Sequence, residues 1–323
     1  MRRFPALAGL LAATAVLPCS SFAQGTENYP SKPVRAVVAA AAGGASDILA
    51  RTFTQELSAT LGQQIVVDNR SGAGGIPAYR LVSEASPDGY TLLFTSAAFT
   101  YGPALYRDFP DPNKDFTPIT LATKAPYLIV AYPGLAVTSI KELIALAKAT
   151  PGALNIGVTN GGFTHIAAVY LSTAAGIKLT YVPYKGSGQI TVDTMAGRLH
   201  LTFGNVLSFL PHVKSGKLRA LAVSAANRSA LVPDLPTVSE SGLPGFDISS
   251  WFGWLAPPGT PPAIVGRLST ELTKIIRSPG IVSRLAKSGG EAVGSTPEQF
   301  RKFIASETRR WTKAVKDSGM RVQ

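Results

Sequence analysis

Two glycine-rich turns carry the residues of this sequence that are best suited to bind a charged ligand. Residues 41–47 read AAGGASD and residues 159–165 read TNGGFTH, and each turn stands between an apolar run of strand type and a helix. Glycine lets backbone N–H groups approach a ligand closely, and the following helix offers its positive N-terminal end. Either turn alone is an ordinary strand-to-helix connection, but two of them, one in each half, predict a shared site for an anion such as a carboxylate. The predicted contacts are Ala41, Ala42, Gly43, Gly44, Ala45, Ser46, Asp47, Thr159, Asn160, Gly161, Gly162, Phe163, Thr164 and His165.

The end of a third apolar run is predicted to line the same cleft. Ser96, Ala97 and Ala98 follow the strand Tyr90–Thr95, and ligands of open parallel sheets bind at the carboxyl ends of strands. Neither glycine turn contains Arg or Lys, so backbone N–H groups, hydroxyl groups and helix ends must hold the anion. Asp47 is predicted to orient its own turn by accepting backbone N–H groups, because a bare carboxylate would repel an anionic ligand.

Other kinds of functional site find little support in the residues. A phosphate-binding P-loop requires a Lys after its glycines, and no Lys follows either glycine turn. Residues 72–77 end in Pro77, where a dinucleotide-binding turn needs glycine. Ser187 lacks the glycine two residues before it that a nucleophile elbow needs, and the three His are not spaced as metal ligands. The single Cys excludes a disulfide framework, a Cys zinc cluster and an iron–sulfur site. The sequence therefore predicts no catalytic residue, no metal and no cofactor.

The net charge of +12 raises the alternative of a nucleic-acid partner. Residues 267–323 hold 12 Lys or Arg against 5 acidic residues. Phe300, Ile304, Trp311 and Val315, however, trace one apolar helix face, which leaves most of these cations on a solvated surface. We therefore expect no nucleic-acid partner, and a diffuse positive field that favours the approach of an anionic ligand.

The elements around the two turns predict an α/β fold. The chain has 323 residues, 46% apolar and only 15% charged, which suits two medium domains or one large one. Val34–Ala42 reads as a buried strand, and the helix Asp47–Leu61 that follows repeats apolar residues every four positions. Leu154–Gly157 and Thr164–Ala175 repeat this order around the second turn. Repeated strand–helix–strand units imply parallel sheets with helices on both faces.

The first 23 residues have the pattern of an export signal. Arg2 and Arg3 precede the apolar run Ala6–Val16, and the small residues of Ser21-Phe22-Ala23 predict cleavage before Gln24. Cys19 raises the alternative of a lipid anchor, although Pro18 fits poorly before a lipidated Cys. We therefore expect an exported protein of the bacterial periplasm.

Short motifs along almost the whole mature chain resemble one protein family. They occur in the order YPSKPVR (29–35), AGGASD (42–47), DNRSGAGG (68–75), PDGYTLL (87–93), DFTPI (115–119), PYKGS (183–187), GKLRALAV (216–223) and SWFG (250–253). This set resembles the Bug family, the periplasmic substrate-binding proteins of tripartite tricarboxylate transporters. The resemblance implies a two-domain periplasmic binding protein fold of the Venus flytrap type II, with parallel-rich sheets flanked by helices and two crossovers between the domains.

The resemblance also implies domain boundaries, a site residue and partners. Residues 24–124 with 250–323 are expected to form the first domain and residues 125–249 the second, with crossings near 122–127 and 247–252. Asn205 is expected at the cleft. The implied function is capture of a small organic acid for membrane transporter subunits, by a monomer that has no cofactor and is not an enzyme.

Two departures from the family pattern bear on the ligand. Gly204 stands where many members carry Asp, and the bulky Phe163 lies in the second turn, so the sequence does not predict which carboxylate is bound. Two other functions stay open at this point. One is a periplasmic sensor that signals to a membrane partner, and the other is a periplasmic α/β hydrolase, for which the sequence supplies no clear nucleophile and base.

Overall fold

The computed structural model describes residues 28–159 and 162–318. The predicted signal peptide, residues 1–23, lies outside the described residues, as do two of the predicted contacts, Asn160 and Gly161. No helix within the described ranges is both long and apolar enough to cross a membrane.

The first group of strands forms a mixed sheet in the order β2 (Ile65–Asn69), β1 (Val34–Val38), β3 (Thr91–Ser96), β9 (Ser249–Ala256) and β4 (Thr117–Ala131). The apolar runs around Val37 and Leu93 form its parallel part, β2-β1-β3, and β9 joins antiparallel between β3 and β4. The predicted sheet was parallel-rich, whereas the strands near the middle of this one are antiparallel. The elements of this group are β1 (Val34–Val38), α1 (Ala45–Leu61), β2 (Ile65–Asn69), α2 (Ile76–Ser83), β3 (Thr91–Ser96), α3 (Ala98–Leu105), β4 (Thr117–Ala131), β9 (Ser249–Ala256), α8 (Pro262–Ile276), α9 (Pro279–Lys287), β10 (Glu291–Ala292) and α10 (Pro297–Ser318).

The second group of strands continues along the far end of β4. β6, β5 and β7 are parallel, β7 pairs antiparallel with β4, and β8 also pairs antiparallel with β4. Each glycine turn thus lies between a buried parallel strand and a helix, as predicted. The elements of this group are α4 (Ile140–Ala149), β5 (Asn155–Thr159), α5 (Phe163–Ala175), β6 (Thr180–Tyr184), α6 (Ser187–Met195), β7 (Leu201–Asn205), α7 (Val206–Lys214) and β8 (Arg219–Val223).

The strand β4 connects the two groups. In this part of the chain only the apolar run Leu128–Ala131 predicts a strand, whereas β4 begins at Thr117 and includes Pro118 and Pro126. Proline lacks a backbone N–H and the pairing shifts after Pro118, which explains why the pattern of this half did not indicate a strand. The two predicted crossings lie side by side, because Ala125 pairs with Ser250 and Pro126 with Ser249.

Ser224 fastens these two crossing strands to the end of β8. Its buried hydroxyl accepts the backbone N–H of Tyr127 at 2.9 Å and donates to the carbonyl of Ile248 at 2.7 Å. Its backbone N–H and C=O bond the same two residues. Four hydrogen bonds therefore converge on one residue where the chain passes between the groups.

Three helices escaped the sequence pattern. Pro103 lies within α3 and Pro211 within α7, and α9 begins with Pro279. A proline inside a short segment usually argues against a helix, which explains why the pattern did not indicate α3 and α7. Pro279 instead occupies the first position of α9, where proline is well tolerated. The neighbouring Pro211 predicts a loop around His212, whereas His212 lies in the last turn of α7.

The C-terminal helix α10 packs against both groups of strands. The apolar face predicted for it is buried, with Phe300 and Trp311 fully inside. α10 contacts α3 of the first group and α5 of the second, and the Trp311 ring meets the rings of Phe163 and Tyr170. The indole Nε1 of Trp311 donates to the buried carboxylate of Glu307 at 3.0 Å.

Candidate ligand-binding site

The register of the strands brings the carboxyl ends of β3 and β7 to the two sides of one gap. Ser96, the last residue of β3, is level with residue 123 of β4 through their shared partner Phe252. Asn205, the last residue of β7, pairs with Tyr127 of β4 from the opposite direction. The carboxyl ends of β3 and β7 therefore point toward each other across four residues of β4, roughly 13 Å of strand.

The first glycine turn is held by Asp47, as predicted. The helix α1 begins at Ala45, so Asp47 lies in its first turn, where its Oδ2 accepts the backbone N–H of Gly43 at 2.9 Å. Gly43 has φ +79°, a conformation that favours glycine. The other carboxylate oxygen of Asp47, Oδ1, accepts the Nε–H of Arg51 at 2.9 Å. Asp47 is therefore occupied within its own turn rather than aimed at a ligand.

Asn69, the last residue of the neighbouring strand β2, supports this turn together with Arg51 of α1. The amide of Asn69 donates to the carbonyl of Ala40 at 3.3 Å and accepts from Arg51 at 3.3 Å. The hydrogen bond from Gly43, followed by that from Arg51, holds the pKa of Asp47 below its usual value. Residues 41–45 are exposed, although the N–H groups of Gly43 and Gly44 already donate to Asp47 and to the carbonyl of Ala41.

The end of β3 offers mainly backbone. Ser96 and Ala98 are half-buried and Ala97 is 2% exposed. Ala98 begins α3, which gives this strand end its own helix N-terminus. None of the three carries a charge, in keeping with a site built from main-chain groups.

The second glycine turn is closed by two threonines. The hydroxyl of Thr164 accepts the backbone N–H of Thr159 at 2.9 Å and lies 2.5 Å from the Thr159 hydroxyl. The backbone N–H of Gly162 then donates to the carbonyl of Thr159 at 2.9 Å. Gly162 is the N-cap of α5 without a side-chain cap, as Gly44 is for α1. The first N–H groups of both helices therefore lack an intrahelical acceptor.

His165 lies in the first turn of α5. Its ring is half-buried and stands 5.5 Å from the ring of Tyr181. Burial lowers its pKa below the usual value, which keeps the imidazole neutral at pH 7.

A cavity of about 610 Å³ opens at the carboxyl ends of β5 and β7. It brings together four of the predicted contacts: Thr159, Phe163, Thr164 and Asn205. Gly162 and His165 do not line it, and neither do residues 41–47 or 96–98, which belong to the opposite side of the gap. The side chain of Asn205 caps α7 by accepting the N–H of Leu207 at 3.0 Å.

Sequence reasoning missed the part of the cavity that α6 and α7 provide. Ser187, Gly188 and Thr191 of α6 and Ser208, Phe209 and His212 of α7 line it. The helix α7 was not predicted because of Pro211, and Ser187 was considered only as a nucleophile. The usable signal was the G-S-G at residues 186–188, a third glycine turn before a helix.

Three helices, α5, α6 and α7, present their N-termini to this cavity. No Asp, Glu, Lys or Arg is found among the described residues that line it. Lys185 is exposed and lines an adjoining concavity with Thr159 and Tyr184. The arrangement is thus electrostatically suited to an anion without offering it a charged side chain within the cavity.

The described residues offer no group of three His, Cys, Asp or Glu that could hold a metal ion. The geometry of the cavity at the ends of β5 and β7 fits the binding of a small anion. Residues 49–320 match the family described as the tripartite tricarboxylate transporter family receptor. The chain belongs to this family.

Known members of the receptor family match nearly the whole chain. Protein BugT of Bordetella pertussis is 34% identical over 327 residues, which cover 100% of this chain and 99% of BugT. The structure of Rpa4515 from R. palustris with adipate is 35% identical with a TM-score of 0.74, covering 91% of this chain and 100% of that one. MatC from Rhodopseudomonas palustris with bound malate is 30% identical with a TM-score of 0.71, covering 89% of this chain and 100% of that one.

Membership confirms the predicted fold class and the predicted family. The α/β fold is that of the periplasmic binding proteins, with mixed sheets flanked by helices. A receptor of this family binds solutes and is not an enzyme, so the hydrolase alternative is excluded.

Proposed function

We propose that this receptor captures a small carboxylate in the gap between its two strand groups and delivers it to membrane subunits of a tripartite tricarboxylate-type transporter. The observation that carries the proposal is the set of helix N-termini around a cavity that has no charged side chain among its described lining. Relatives captured with adipate and with malate support a carboxylate as the ligand class.

The carboxylate is held from both sides of the gap in this proposal. The first N–H groups of α1, after Gly44, and of α5, after Gly162, donate to its oxygens, and Asn205 and residues 96–98 border it. A carboxylate that accepts several short N–H bonds needs no cationic partner. The occupied carboxylate of Asp47 shapes the first turn without facing the ligand.

Closure around the ligand is part of the same proposal. Residues 24–124 with 250–323 and residues 125–249 act as two domains, and the paired segments of β4 and β9 are the hinge between them. The mature receptor begins at Gln24 and works as a monomer in the periplasm.

Two substitutions test the backbone cradle. Gly44 has φ −80°, and a Cβ there meets only the carbonyl oxygen of Ala41 at 3.4 Å, so Gly44→Val is expected to fold. The methyl groups of the valine would obstruct the approach of an anion to the N–H groups of α1. Each hydrogen bond lost from such an N–H to a charged acceptor costs about 1.5–3 kcal/mol. The matched control is Lys185→Ala, which removes an exposed cation next to the site and is expected to cost about 0–1 kcal/mol.

The measurement starts with a thermal-shift screen of carboxylates, because a ligand that binds only the folded form raises the melting temperature. Titration calorimetry of the best ligand with both variants follows. Normal binding to folded Gly44→Val together with loss of binding in Lys185→Ala would refute the cradle. No stabilisation by any carboxylate would refute the proposed ligand class.

A further inference from the structure

The helix α10 is anchored in both strand groups. In its first half, the rings of Phe300 and Phe303 each lie 5.6 Å from the indole of Trp251 in β9. In its second half, the indole of Trp311 lies 5.6 Å from the ring of Tyr170 in α5. Phe300, Trp251 and Trp311 are fully buried. One continuous helix therefore joins the two groups outside the paired segments of β4 and β9.

Phe163 connects this helix to the second glycine turn. It is the first residue of α5 and directly follows Gly162, the N-cap. Its half-buried ring lies 4.8 Å from the ring of Tyr127 and 6.2 Å from the indole of Trp311. Packing on Phe163 therefore acts on the backbone turn whose N–H groups are proposed to hold the carboxylate.

A buried carboxylate fixes the orientation of the Trp311 indole. Glu307, one turn earlier in α10, is 2% exposed, and its Oε2 accepts the Nε1–H of Trp311 at 3.0 Å. Its Oε1 lies 3.1 Å from a guanidinium nitrogen of Arg310. Burial raises the pKa of Glu307, and the nearby charge of Arg310 opposes this rise.

The buried carboxylate of Glu307 is not what packing alone would favour at this position. Two charges taken out of water lose hydration that their attraction repays only in part, so a well-packed apolar residue is often as stable. What the carboxylate adds is direction, because a charged acceptor holds the indole N–H in one geometry. By contrast, the buried Nε1 atoms of Trp251 and Trp254 have no hydrogen-bond partner among the described residues.

Arg310 continues this network to the crossing between the groups. Its guanidinium donates to the backbone carbonyl of Asp247, which lies two residues before β9. The contacts thus form an unbroken series from the crossing, through the buried carboxylate and the indole, to the first turn of α5.

We propose that Trp311 and Glu307 are positioning residues for ligand capture. Glu307 orients the indole, and the indole holds Phe163 so that the first turn of α5 is formed before the ligand arrives. The proposal rests on the proposed function and adds residues outside the cleft that set its affinity. If the turn is formed in only about one tenth of the molecules, the apparent affinity falls about tenfold.

Amide hydrogen exchange, followed by NMR, tests the turn in the absence of any ligand. The N–H groups of His165 and Ile166 donate to the carbonyl of Gly162 at 3.1 and 3.3 Å, so their exchange reports opening of this turn. Trp311→Phe is expected to raise both rates about tenfold, because the smaller ring packs less closely and offers no donor to Glu307. Rates equal to those of the unsubstituted chain would overturn the proposal.

The matched control is Trp254→Phe. Trp254 is as fully buried as Trp311 but belongs to β9, where its ring lies 4.7 Å from that of Phe94 in the first group. The substitution removes the same ring atoms without removing a hydrogen bond, and it should leave the exchange of the α5 turn unchanged. An equal rise in both variants would show a general loss of stability and would also overturn the proposal.

Titration calorimetry then measures capture, with adipate and malate as probes. Trp311→Phe and Glu307→Leu are each expected to weaken the affinity about tenfold, and Trp254→Phe should bind normally. Glu307→Gln keeps an acceptor for the indole, so it should bind within about twofold of the unsubstituted chain. Faster exchange with unchanged affinity, or an equal loss in the two Glu307 variants, would contradict the positioning role.

The outcomes also distinguish this inference from the proposed function. If a carboxylate binds the unsubstituted chain and binds Trp311→Phe and Glu307→Leu equally well, only the positioning role is wrong. If no carboxylate binds the unsubstituted chain, the proposed function is wrong, and hydrogen exchange alone then decides whether the two residues hold the turn.

Discussion

Replacing Asp47 should destabilise the receptor by removing the group that ties the first glycine turn to α1. The Asp47 side chain is only 6% exposed and accepts one backbone N–H and one guanidinium N–H. A hydrogen bond to a charged group contributes about 1.5–3 kcal/mol. The partner Arg51 is 55% exposed, so the ion pair adds only about 0.3–0.5 kcal/mol. Asp47→Ala should therefore lower the free energy of unfolding by about 2–3 kcal/mol.

Two control variants divide this loss between its sources. Arg51→Ala removes the ion pair but leaves the bond to Gly43, and it should cost about 0.5 kcal/mol. Asp108→Ala removes a carboxylate that is 82% exposed and lies 3.9 Å from Arg80, and its effect should stay within about 0.5 kcal/mol. Urea unfolding at pH 7, followed by tryptophan fluorescence, measures all three. A loss in Arg51→Ala as large as that in Asp47→Ala would show that the ion pair, not the backbone bond, holds the turn.

Acid should reduce the difference between Asp47→Ala and the unsubstituted chain. The pKa of Asp47 lies below its usual value of 3.8, mainly because of the bond from Gly43. A lowered pKa means that the stabilisation is present above the unfolded value and is lost as the pH falls through the folded value. The two unfolding curves should therefore approach each other below about pH 4. A difference that stays constant from pH 7 to pH 3 would contradict this assignment.

Two further predictions concern the crossing and the second turn. Ser224→Ala should lower the free energy of unfolding by about 2 kcal/mol, because a buried N–H and a buried carbonyl of the crossing strands each lose a partner. Urea unfolding measures this loss, and Ser215→Ala on the surface is the control. Equal unfolding curves for the two variants would contradict the prediction. His165 should titrate below 6.5 in an NMR pH series because burial disfavours its charged form, and stability should fall as the pH drops below 6.5, since the unfolded chain binds the proton more tightly. A His165 pKa above 6.5 would refute the second prediction.

The sequence predicted the local structure of the candidate site where glycine turns follow strongly apolar strands. The turns at residues 41–47 and 159–165, and the role of Asp47 within the first, follow from local chemistry, because the strand, turn and helix are contiguous in the chain. The start of α1 was predicted two residues late, since a helix that begins at Ala45 after Gly44 has no capping side chain to mark it.

The remaining parts depend on contacts between distant residues. Phe209 enters the cavity only because Gly204, five residues earlier, leaves space for its ring, and no periodic pattern records that relation. Pro211 concealed α7, and Pro126 concealed the passage of β4 from one group to the other. These elements are stabilised by tertiary packing and by β9 as a neighbour, which outweigh the local preference of proline.

The position of β9 and α10 in the fold has a consequence for how the chain is made. β9 lies between β3 and β4, and Phe300, Ile304 and Trp311 of α10 fill the core that both groups share. Neither sheet of a growing chain can acquire its final neighbours before these last segments have emerged. Such pairing between distant segments is intrinsically slow, because long loops must close before any contact stabilises them. Folding of this receptor is therefore expected to finish only after almost the entire chain has been synthesised. Until then the polypeptide stays extended and can still pass through a narrow pore.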